Sequence, residues 1–508
     1  MASVTALPGA VTEHRGLDHW MRRVLAELAK LRDSPDKDTV HDLRVAIRRC
    51  RSVGAVMAEV DPNPLWREMR HLPRKLFRRL GALRDAQIMG DWVKAHGAEN
   101  DKLRLLLEEH FAAQEPALLK DATRAAEKFD QRTWKRLDRK LRKRVRLVAP
   151  QSLAAECLAL ERLEEAKELH KNAVREQRPE SWHALRIGVK KFRYTVECLL
   201  PERYQTWSND LKHIQDTLGE IHDLDVLLAL MHEKADGTVP ELLSEWERRI
   251  ERERNRCLDQ YSELAMGKTS TWNTWSDGLP QGQRANAAGM ARIRATARAA
   301  EAHPRRAAQV QGISMAIFDA FRSARVTPIF RDRASRRALR AAARLSGLNG
   351  KRGELSRKEL RRFLLGQPAP PGWTRENWEV LAWTLRYHRG AEPDGSRGGL
   401  ARLTEEQQQN LRAWAGVLRL ARGLRKCSVA GGAGFRADRT VDAVHLEVPG
   451  LTDSAENAAL LAAAKHLLEG YLQVPLILKP APKPVAELPA RPEAVKPLPQ
   501  ASFAEASD

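Results

Sequence analysis

A basic motif that occurs twice constrains the fold of this chain more than any other feature. The copies are His41-Asp42-Leu43-Arg44-Val45-Ala46-Ile47-Arg48-Arg49-Cys50-Arg51 and His183-Ala184-Leu185-Arg186-Ile187-Gly188-Val189-Lys190-Lys191-Phe192-Arg193. Each is followed by a Leu-Gly-x-x-x-Asp segment, Leu80 to Asp85 and Leu218 to Asp223, with a connection four residues shorter in the second copy. Apolar residues recur three and four positions apart, which indicates helices. A duplication of this length predicts two similar helical bundles related by a pseudo-twofold axis.

The basic residues of each copy fall on one side of a helix, within an arc of about 80° at 3.6 residues per turn. The first stripe comprises His41, Arg44, Arg48 and Arg51. The second stripe comprises His183, Arg186, Lys190 and Arg193. Apolar residues flank both stripes. A solvated face is the usual setting of a charge run. Duplication in the same phase favours a groove between packed helices, where the cations are held close together.

The charge balance of the whole chain points to polyanionic partners. Lys and Arg number 87 against 66 acidic residues in 508, and the formal net charge is +21. Such a chain attracts nucleic acid, anionic membranes or polyphosphate. No run approaches the roughly 20 apolar residues of a membrane helix, and no signal peptide is evident. The five cysteines form no Cys-x-x-Cys pair, which favours reduced thiols. We therefore expect a cytoplasmic protein without membrane insertion.

The remainder of the chain is predicted to be helical until its last part. Residues 266–289 are rich in Gly, Ser, Thr, Asn and Trp, which indicates a linker between domains. Helical segments are predicted over 290–365, 374–389 and 405–426, and Pro368, Pro370 and Pro371 separate the first two. Alternating residues predict a strand over 440–448, followed by a helix over 454–471 and a second strand over 474–478. The Pro-, Ala- and Glu-rich end is predicted to be disordered.

The duplicated region resembles the CHAD domain, the conserved-histidine α-helical domain. The resemblance covers roughly residues 10–265 and rests on both basic motifs and both Leu-Gly-x-x-x-Asp segments. It implies two four-helix bundles, at about 10–150 and 151–265, packed about a basic central pore that binds inorganic polyphosphate. The residue types suit such a ligand, because Arg donates paired hydrogen bonds to phosphate oxygens and Lys adds point charges.

The predicted polyphosphate-binding residues are the two stripes and basic residues of the helix that comes after each one: Arg74, Arg78, Arg84, Lys212 and His222. His41 and His183 donate hydrogen bonds when neutral and add charge when protonated. Packing at a helix N-terminus is the alternative role for these two histidines. We expect Asp85 and Asp223 to orient basic neighbours. No catalytic residue, metal site or cofactor is predicted.

Residues 303–478 resemble a different family, the C-terminal HD-type helical region of exopolyphosphatases and guanosine pentaphosphatases. The matching segments are His303-Pro304-Arg305-Arg306, Leu385-Arg386-Tyr387-His388-Arg389-Gly390 and Leu418-Arg419-Leu420-Ala421-Arg422-Gly423-Leu424. Ser346-Gly347 replaces the His-Asp pair of that family, and Arg422 and Arg425 stand where acidic residues are common. A His/Asp metal centre needs several converging ligands. We therefore expect a domain without catalytic activity.

These observations favour a non-enzymatic polyphosphate-binding protein that associates with polyphosphate granules. One alternative is a divergent phosphohydrolase that uses His303 and His388. Another is a nucleic-acid-binding protein, although few aromatic residues accompany the stripes for base stacking; nucleic acid would in any case be a competing polyanion. The predicted architecture is mainly α: a CHAD domain in 1–265, a linker in 266–289, an HD-like helical domain with a small α+β end in 290–478, and a disordered tail in 479–508.

Overall fold

The computed structural model describes residues 16–235, 240–300, 304–350, 353–354, 356–396, 398–432 and 434–481. It confirms the predicted mainly α fold with a small α+β piece near its end. The chain divides into two compact units. The first contains residues 1–308 and 337–415, and the second contains residues 309–336 and 416–508. No helix in the described ranges has the length and apolar character needed to cross a membrane.

The first copy of the motif lies within six helices: α1 (Leu17–Asp33), α2 (Lys37–Val60), α3 (Pro64–His71), α4 (Arg74–His96), α5 (Lys102–Glu127) and α6 (Gln131–Val145). Helix α2, which carries the first stripe, begins after Asp36, whose side chain accepts a hydrogen bond from the Thr39 amide at 2.7 Å. Such a cap satisfies an amide that has no partner within the helix. Helix α2 packs on α1, α3 and α4, α4 packs on α5, and α6 packs on α1 and α3.

The second copy lies within four helices: α7 (Leu153–Glu176), α8 (Pro179–Leu199), α9 (Pro201–Ala235) and α10 (Pro240–Ala265). Helix α8 carries the second stripe and has Pro179 in its first turn, where the missing amide hydrogen costs nothing. Consecutive helices of this copy pack on one another, and α2 packs on α8. The two motif helices therefore meet within one core.

The structure differs from the predicted linker over residues 266–289. This segment contains α11 (Thr271–Asp277) and the start of α12 (Gly282–Ala300). Trp272 and Trp275 are buried in the same core as the bundle helices, and the Trp275 ring lies 5.3 Å from the Phe192 ring of α8. Two indoles bury enough apolar area to fix a short polar segment on a domain.

The first unit also extends beyond the region predicted for the CHAD domain. Helix α12 packs on α7, and the ion pair between Arg292 and Glu161 is almost fully buried there. The unit contains a small hairpin of β1 (Asn349–Gly350) and β2 (Gly353–Glu354), and helices α15 (Arg357–Leu365) and α16 (Arg375–Tyr387), which pack on each other. The division between the units therefore does not coincide with the predicted boundaries of 265 and 290.

The second unit contains the small α+β piece. Three further helices each contribute residues to both units: α13 (Pro304–Ser323), α14 (Arg333–Leu345) and α17 (Glu405–Lys426). The sheet order is β3 (Arg436–Arg439), β4 (Val444–Pro449), β5 (Leu476–Ala481), with β3–β4 antiparallel and β4–β5 parallel. Helix α18 (Ala455–Leu472) connects β4 to β5 and is capped by Ser454.

Both predicted strands and the predicted helix between them are confirmed, as β4, β5 and α18. Sequence analysis missed β3, because its residues are mostly exposed and show no apolar alternation. Strand β5 continues to Ala481, so residues 479–481 are a strand rather than the start of the predicted tail. The rest of that tail, residues 482–508, lies outside the described part of the chain.

Candidate anion-binding site

A cavity of about 620 Å³, which we call the central basic cavity, lies beside the contact between α2 and α8. Its basic lining residues are Arg44, Arg48, Arg51, Arg70, Arg162, Lys190 and Lys191. Of the described residues in its lining, Glu59 is the only acidic one. Four of the eight stripe residues therefore share one cavity.

The cations of the cavity are close enough to disfavour one another's charged forms. Burial, followed by the charges of Arg186 and Arg48, lowers the pKa of Lys190 from 10.5 to about 7. Burial is also the main cause that lowers the pKa values of Arg44 and Arg186. The Nε atoms of Arg48 and Arg186 are buried and have no hydrogen-bond partner in the described part of the chain. An anion in the cavity would relieve the repulsion and supply acceptors.

The two aspartates that end the Leu-Gly-x-x-x-Asp segments lie near this cluster. The Asp85 Oδ1 atom is 3.6 Å from the Arg44 Nη2 atom. The pKa of Asp223 is raised, mainly by burial. The charge of Arg186 acts to lower this pKa, and the charge of Asp85 acts to raise it. The two carboxylates are therefore neighbours of each other and of the stripe arginines. This arrangement suits the predicted role of holding basic side chains in place.

The two motif histidines meet different partners. The Nδ1 atoms of His183 and His222 are 3.2 Å apart, and their ring centroids are 4.4 Å apart. Burial, then the charges of Arg186 and His183, lowers the pKa of His222 to about 4. Desolvation, followed by the charge of Arg84, lowers the pKa of the exposed His41. The predicted residues Arg84 and His222 thus lie beside the two motif histidines.

The last residues of the two stripes point to different surroundings. Burial, then the charges of Arg70 and Arg74, lowers the pKa of Arg51, which lines the cavity. Arg193 donates a hydrogen bond from its Nη2 atom to the Tyr204 hydroxyl at 3.4 Å, and it does not line the cavity. Arg74 therefore lies near enough to Arg51 for its charge to act on it, although neither Arg74 nor Arg193 belongs to the described lining.

Arg78 and Lys212 also lie apart from the lining. Both side chains are exposed, on α4 and α9 respectively, and neither belongs to the described lining of the cavity. A helix of 23 or 35 residues is far longer than the part of it that faces one cavity. Position in the repeat alone did not distinguish these residues from Arg84 and His222.

Sequence analysis missed several lining residues that lie outside the stripes. Arg70 belongs to α3, which has no motif, and its exposed side chain marks an open edge of the cavity. Arg162 of α7 forms ion pairs with Glu59 and Glu165. Lys191 forms a 2.7 Å ion pair with Glu165. Lys191 belongs to the second motif copy but lies off its stripe, whereas the only sequence signal of Arg70 and Arg162 was a charged residue on a helix, which is too common to single them out.

Arg49 has a structural role that its place in the motif did not reveal. Its guanidinium carbon lies 5.4 Å from the ring centroids of both Trp20 and Tyr194. Arg49 and Glu197 also form a largely buried ion pair between α2 and α8. The ion pair and the contact with Tyr194 join the two motif helices, and the contact with Trp20 joins α2 to α1.

The residues that carry the second resemblance are dispersed. Ser346 is buried and donates a hydrogen bond to the Ala343 carbonyl at 2.8 Å. His388 is buried just after α16, and its Nδ1 atom lies 2.7 Å from the Leu385 carbonyl oxygen. His303 lies outside the described residues. The resemblance of residues 303–478 to the exopolyphosphatase C-terminal region stays a prediction.

No metal centre is evident among the residues that the structure describes, since no three His, Cys, Asp or Glu side chains there converge on one point. The five cysteines are free, and all but Cys198 are fully buried. The polar chemistry of the site is therefore carried by guanidinium, ammonium and imidazole groups.

Comparison with known proteins identifies the first part of the chain. A model of the CHAD domain family matches residues 15–232. A crystal structure of the CHAD domain from the plant Ricinus communis is 19% identical, covers 55% of this chain and 96% of its own, and has a TM-score of 0.36. No curated protein matches the chain. The predicted family is confirmed by the match of the family model: this chain contains a CHAD domain over residues 15–232.

Proposed function

We propose that the protein binds inorganic polyphosphate in the central basic cavity and does not hydrolyse it. The observation that carries this proposal is the set of cations that line one 620 Å³ space with a single acidic residue among the described lining. Arg162 and Lys191 already have acidic partners, whereas Arg48, Arg51 and Lys190 have no ion pair within the described residues. These three provide positive charge for a ligand.

The shape and charge of the site suit a linear phosphate chain. Polyphosphate carries about one negative charge per phosphate, so each cation along the cavity can meet a separate phosphate. Guanidinium groups donate two hydrogen bonds to phosphate oxygens, and release of counterions adds affinity at low salt. Ile187, which is 41% exposed, and Phe77 form part of the wall beside the cations. A low-dielectric wall strengthens the attraction between these cations and an anion.

The two alternative functions have less support. Phosphohydrolase chemistry at His388 would require access to a side chain that is fully buried and already lies against a backbone carbonyl. Sequence-independent nucleic-acid binding would use the same cations, and it usually adds exposed aromatic rings for base stacking. Of the two aromatic rings in the described lining, Tyr194 is buried beneath Arg48 and Arg49, and Phe77 is partly covered by Arg44 and Arg51. A slender phosphate chain fits this lining better than a stacked base.

A binding measurement with a charge-reversed protein tests the proposal. The variant carries Arg44→Glu, Arg48→Glu, Arg186→Glu and Lys190→Glu, and the control carries Arg78→Glu and Lys212→Glu outside the cavity. We expect the native protein and the control to bind polyphosphate with affinity that falls steeply with salt. The cavity variant should lose binding while its circular dichroism is unchanged. Retained affinity in that folded variant would exclude the cavity as the site.

Two further measurements separate the alternatives. In a competition at equal total charge, polyphosphate should displace nucleic acid from the native protein, and the reverse result would favour a nucleic-acid-binding function. Incubation with polyphosphate and Mg²⁺ or Mn²⁺ should release no phosphate. Release that disappears with His303→Ala or His388→Ala would show an enzyme. In cells that store polyphosphate, the tagged native protein should concentrate at granules and the charge-reversed variant should not.

A further inference from the structure

Helix α6 carries a basic surface that the central cavity does not use. Six exposed cations without an ion pair among the described residues, which we call the α6 face, lie on the solvent side of α6 and at its C-terminal end: Arg132, Lys135, Arg139, Lys140, Lys143 and Arg146. At a rise of 1.5 Å per residue, they extend over about 21 Å. A face of one sign and this length repels itself and attracts polyanions.

The acidic residues around α6 are already engaged with other cations of the helix. Asp138 forms an ion pair with Arg142, at 2.5 Å. Arg136 pairs with Glu68 of α3. Arg144 donates hydrogen bonds to Asp61 at 2.5 and 2.6 Å. The six cations of the α6 face have no ion pair among the described residues, so their charge is not compensated within that part of the chain.

Helix α3 lies between α6 and an open edge of the central basic cavity. Glu68, the partner of Arg136, and Arg70, which lines the cavity, lie on different sides of α3, because residues two apart on a helix do not face each other. The solvent-exposed side of α3 lies between these two residues and connects the cavity's edge to α6. Lys140 and Lys143 come after Arg136 along the same side of α6, one and two turns further.

We propose that the α6 face binds the part of a long polyphosphate chain that extends out of the central basic cavity past Arg70. This inference rests on the proposed function and adds a second binding segment to the central basic cavity. A cavity of 620 Å³ encloses a limited number of phosphates, whereas the α6 face is exposed and adds about 21 Å of basic surface. Affinity then increases with chain length, because only a long chain engages both segments.

Other polyanions fit the α6 face less well. A membrane-binding helix presents apolar side chains beside its cations. Here Trp134, Leu137 and Leu141 are fully buried in the bundle and are not accessible for insertion. A nucleic-acid backbone would find cations on this face but no exposed aromatic ring on α6 for its bases. Continuity with the cavity edge favours polyphosphate.

The test compares short and long ligands on the full-length protein. The variant carries Arg139→Gln, Lys140→Gln and Lys143→Gln, and a matched control removes three exposed charges from α10 with Arg248→Gln, Arg252→Gln and Arg256→Gln. For long-chain polyphosphate, the α6 variant should bind about tenfold more weakly, and its log K against log[salt] slope should be less steep by about two. Its affinity for tripolyphosphate should equal that of the native protein and the control.

Failure of the α6 inference and failure of the proposed function give different results. Equal weakening for tripolyphosphate and long chains, or behaviour identical to the α10 control, would overturn this inference and leave the proposed function intact. Loss of nucleic-acid binding with full retention of long-chain polyphosphate binding would assign the α6 face to nucleic acid and also overturn it. If the native protein bound neither phosphate ligand, the proposed function would fail, and this inference with it.

Discussion

The first and second stripes share a sequence motif, yet they contribute unequally to the central basic cavity. The first stripe supplies Arg44, Arg48 and Arg51 to the lining, whereas Lys190 is the member of the second stripe that lines it. Arg193, at the position equivalent to Arg51, donates instead to a tyrosine hydroxyl. Two copies of one motif therefore have different environments, although both lie on helices that pack on each other.

The difference arises from the helix that comes after each motif helix. In the first copy, α3 lies between α2 and α4, and it adds Arg70 to the cavity. In the second copy, α9 begins at Pro201, directly after α8, and its first turns bring Tyr204 to Arg193. The shorter connection thus replaces a basic residue with a hydrogen-bond acceptor. A repeat therefore predicts which helix a cation occupies, while the next element decides what the cation contacts.

The largest predicted effect is a difference in stability between variants of the equivalent residues Arg49 and Lys191. Arg49→Ala leaves Glu197 as an unpaired, largely buried carboxylate and should reduce the free energy of unfolding by about 3 kcal/mol or more. Lys191→Ala removes a half-exposed ion pair with Glu165 and should cost less than about 1 kcal/mol. Urea denaturation of both variants measures the difference. Equal costs would mean that the α2–α8 contact does not depend on the Arg49 ion pair.

The next effect concerns ligand binding by each stripe. Neutralising the first stripe with Arg44→Gln, Arg48→Gln and Arg51→Gln removes three lining cations and should weaken polyphosphate binding by about a hundredfold at low salt. Neutralising the second with Arg186→Gln, Lys190→Gln and Arg193→Gln removes one lining cation and two that lie outside the described lining, and should weaken binding by about tenfold. Isothermal titration measures both. Equal losses would show that the two stripes contribute symmetrically.

Much of this architecture was predictable from the sequence because helical periodicity and duplication are local signals. The α2 and α8 helices, their stripes and the β4–α18–β5 piece could be derived from spacing alone. The burial of Trp272 and Trp275 was not predictable, since their polar neighbours resemble those of a linker. Sequence spacing places side chains on a helix but does not say where a neighbouring helix ends. For that reason Arg70 was missed, and Arg78 and Lys212 were included.

A smaller effect than these changes in affinity is proton uptake by Lys190 when polyphosphate binds. Lys190 is the second-stripe residue equivalent to Arg48. In the free protein the pKa of Lys190 is lowered to about 7, and a bound polyanion favours the ammonium form. Binding above about pH 7 should therefore take up a proton, and affinity should fall as the pH rises above this value. Calorimetry in buffers of different ionisation enthalpy measures the uptake. Lys190→Arg should abolish it, and uptake that persists in this variant would assign the proton elsewhere.

The same shift affects stability with the opposite dependence on pH. The unfolded chain holds a proton on Lys190 up to its ordinary pKa of 10.5, while the folded protein releases it from about pH 7. The unfolded state therefore binds more protons within this window, so the contribution of Lys190 to the free energy of unfolding rises with pH. Lys190→Arg should remove this rise, because its guanidinium stays protonated throughout.

The smallest effect distinguishes the two motif histidines. His41 lies near Arg84, whereas His183 lies near His222, the residue at the equivalent position of the second copy. Arg84 lowers the pKa of His41, so Arg84→His should raise that pKa, because the new imidazole is largely neutral when His41 titrates. NMR titration of the His41 ring measures the change. Arg78→His on the same helix serves as the control, since Arg78 is exposed and is not among the charges that act on His41. An equal shift in both variants would show a response to net charge alone, and the local difference between the two copies would then have no part in setting the titration of their histidines.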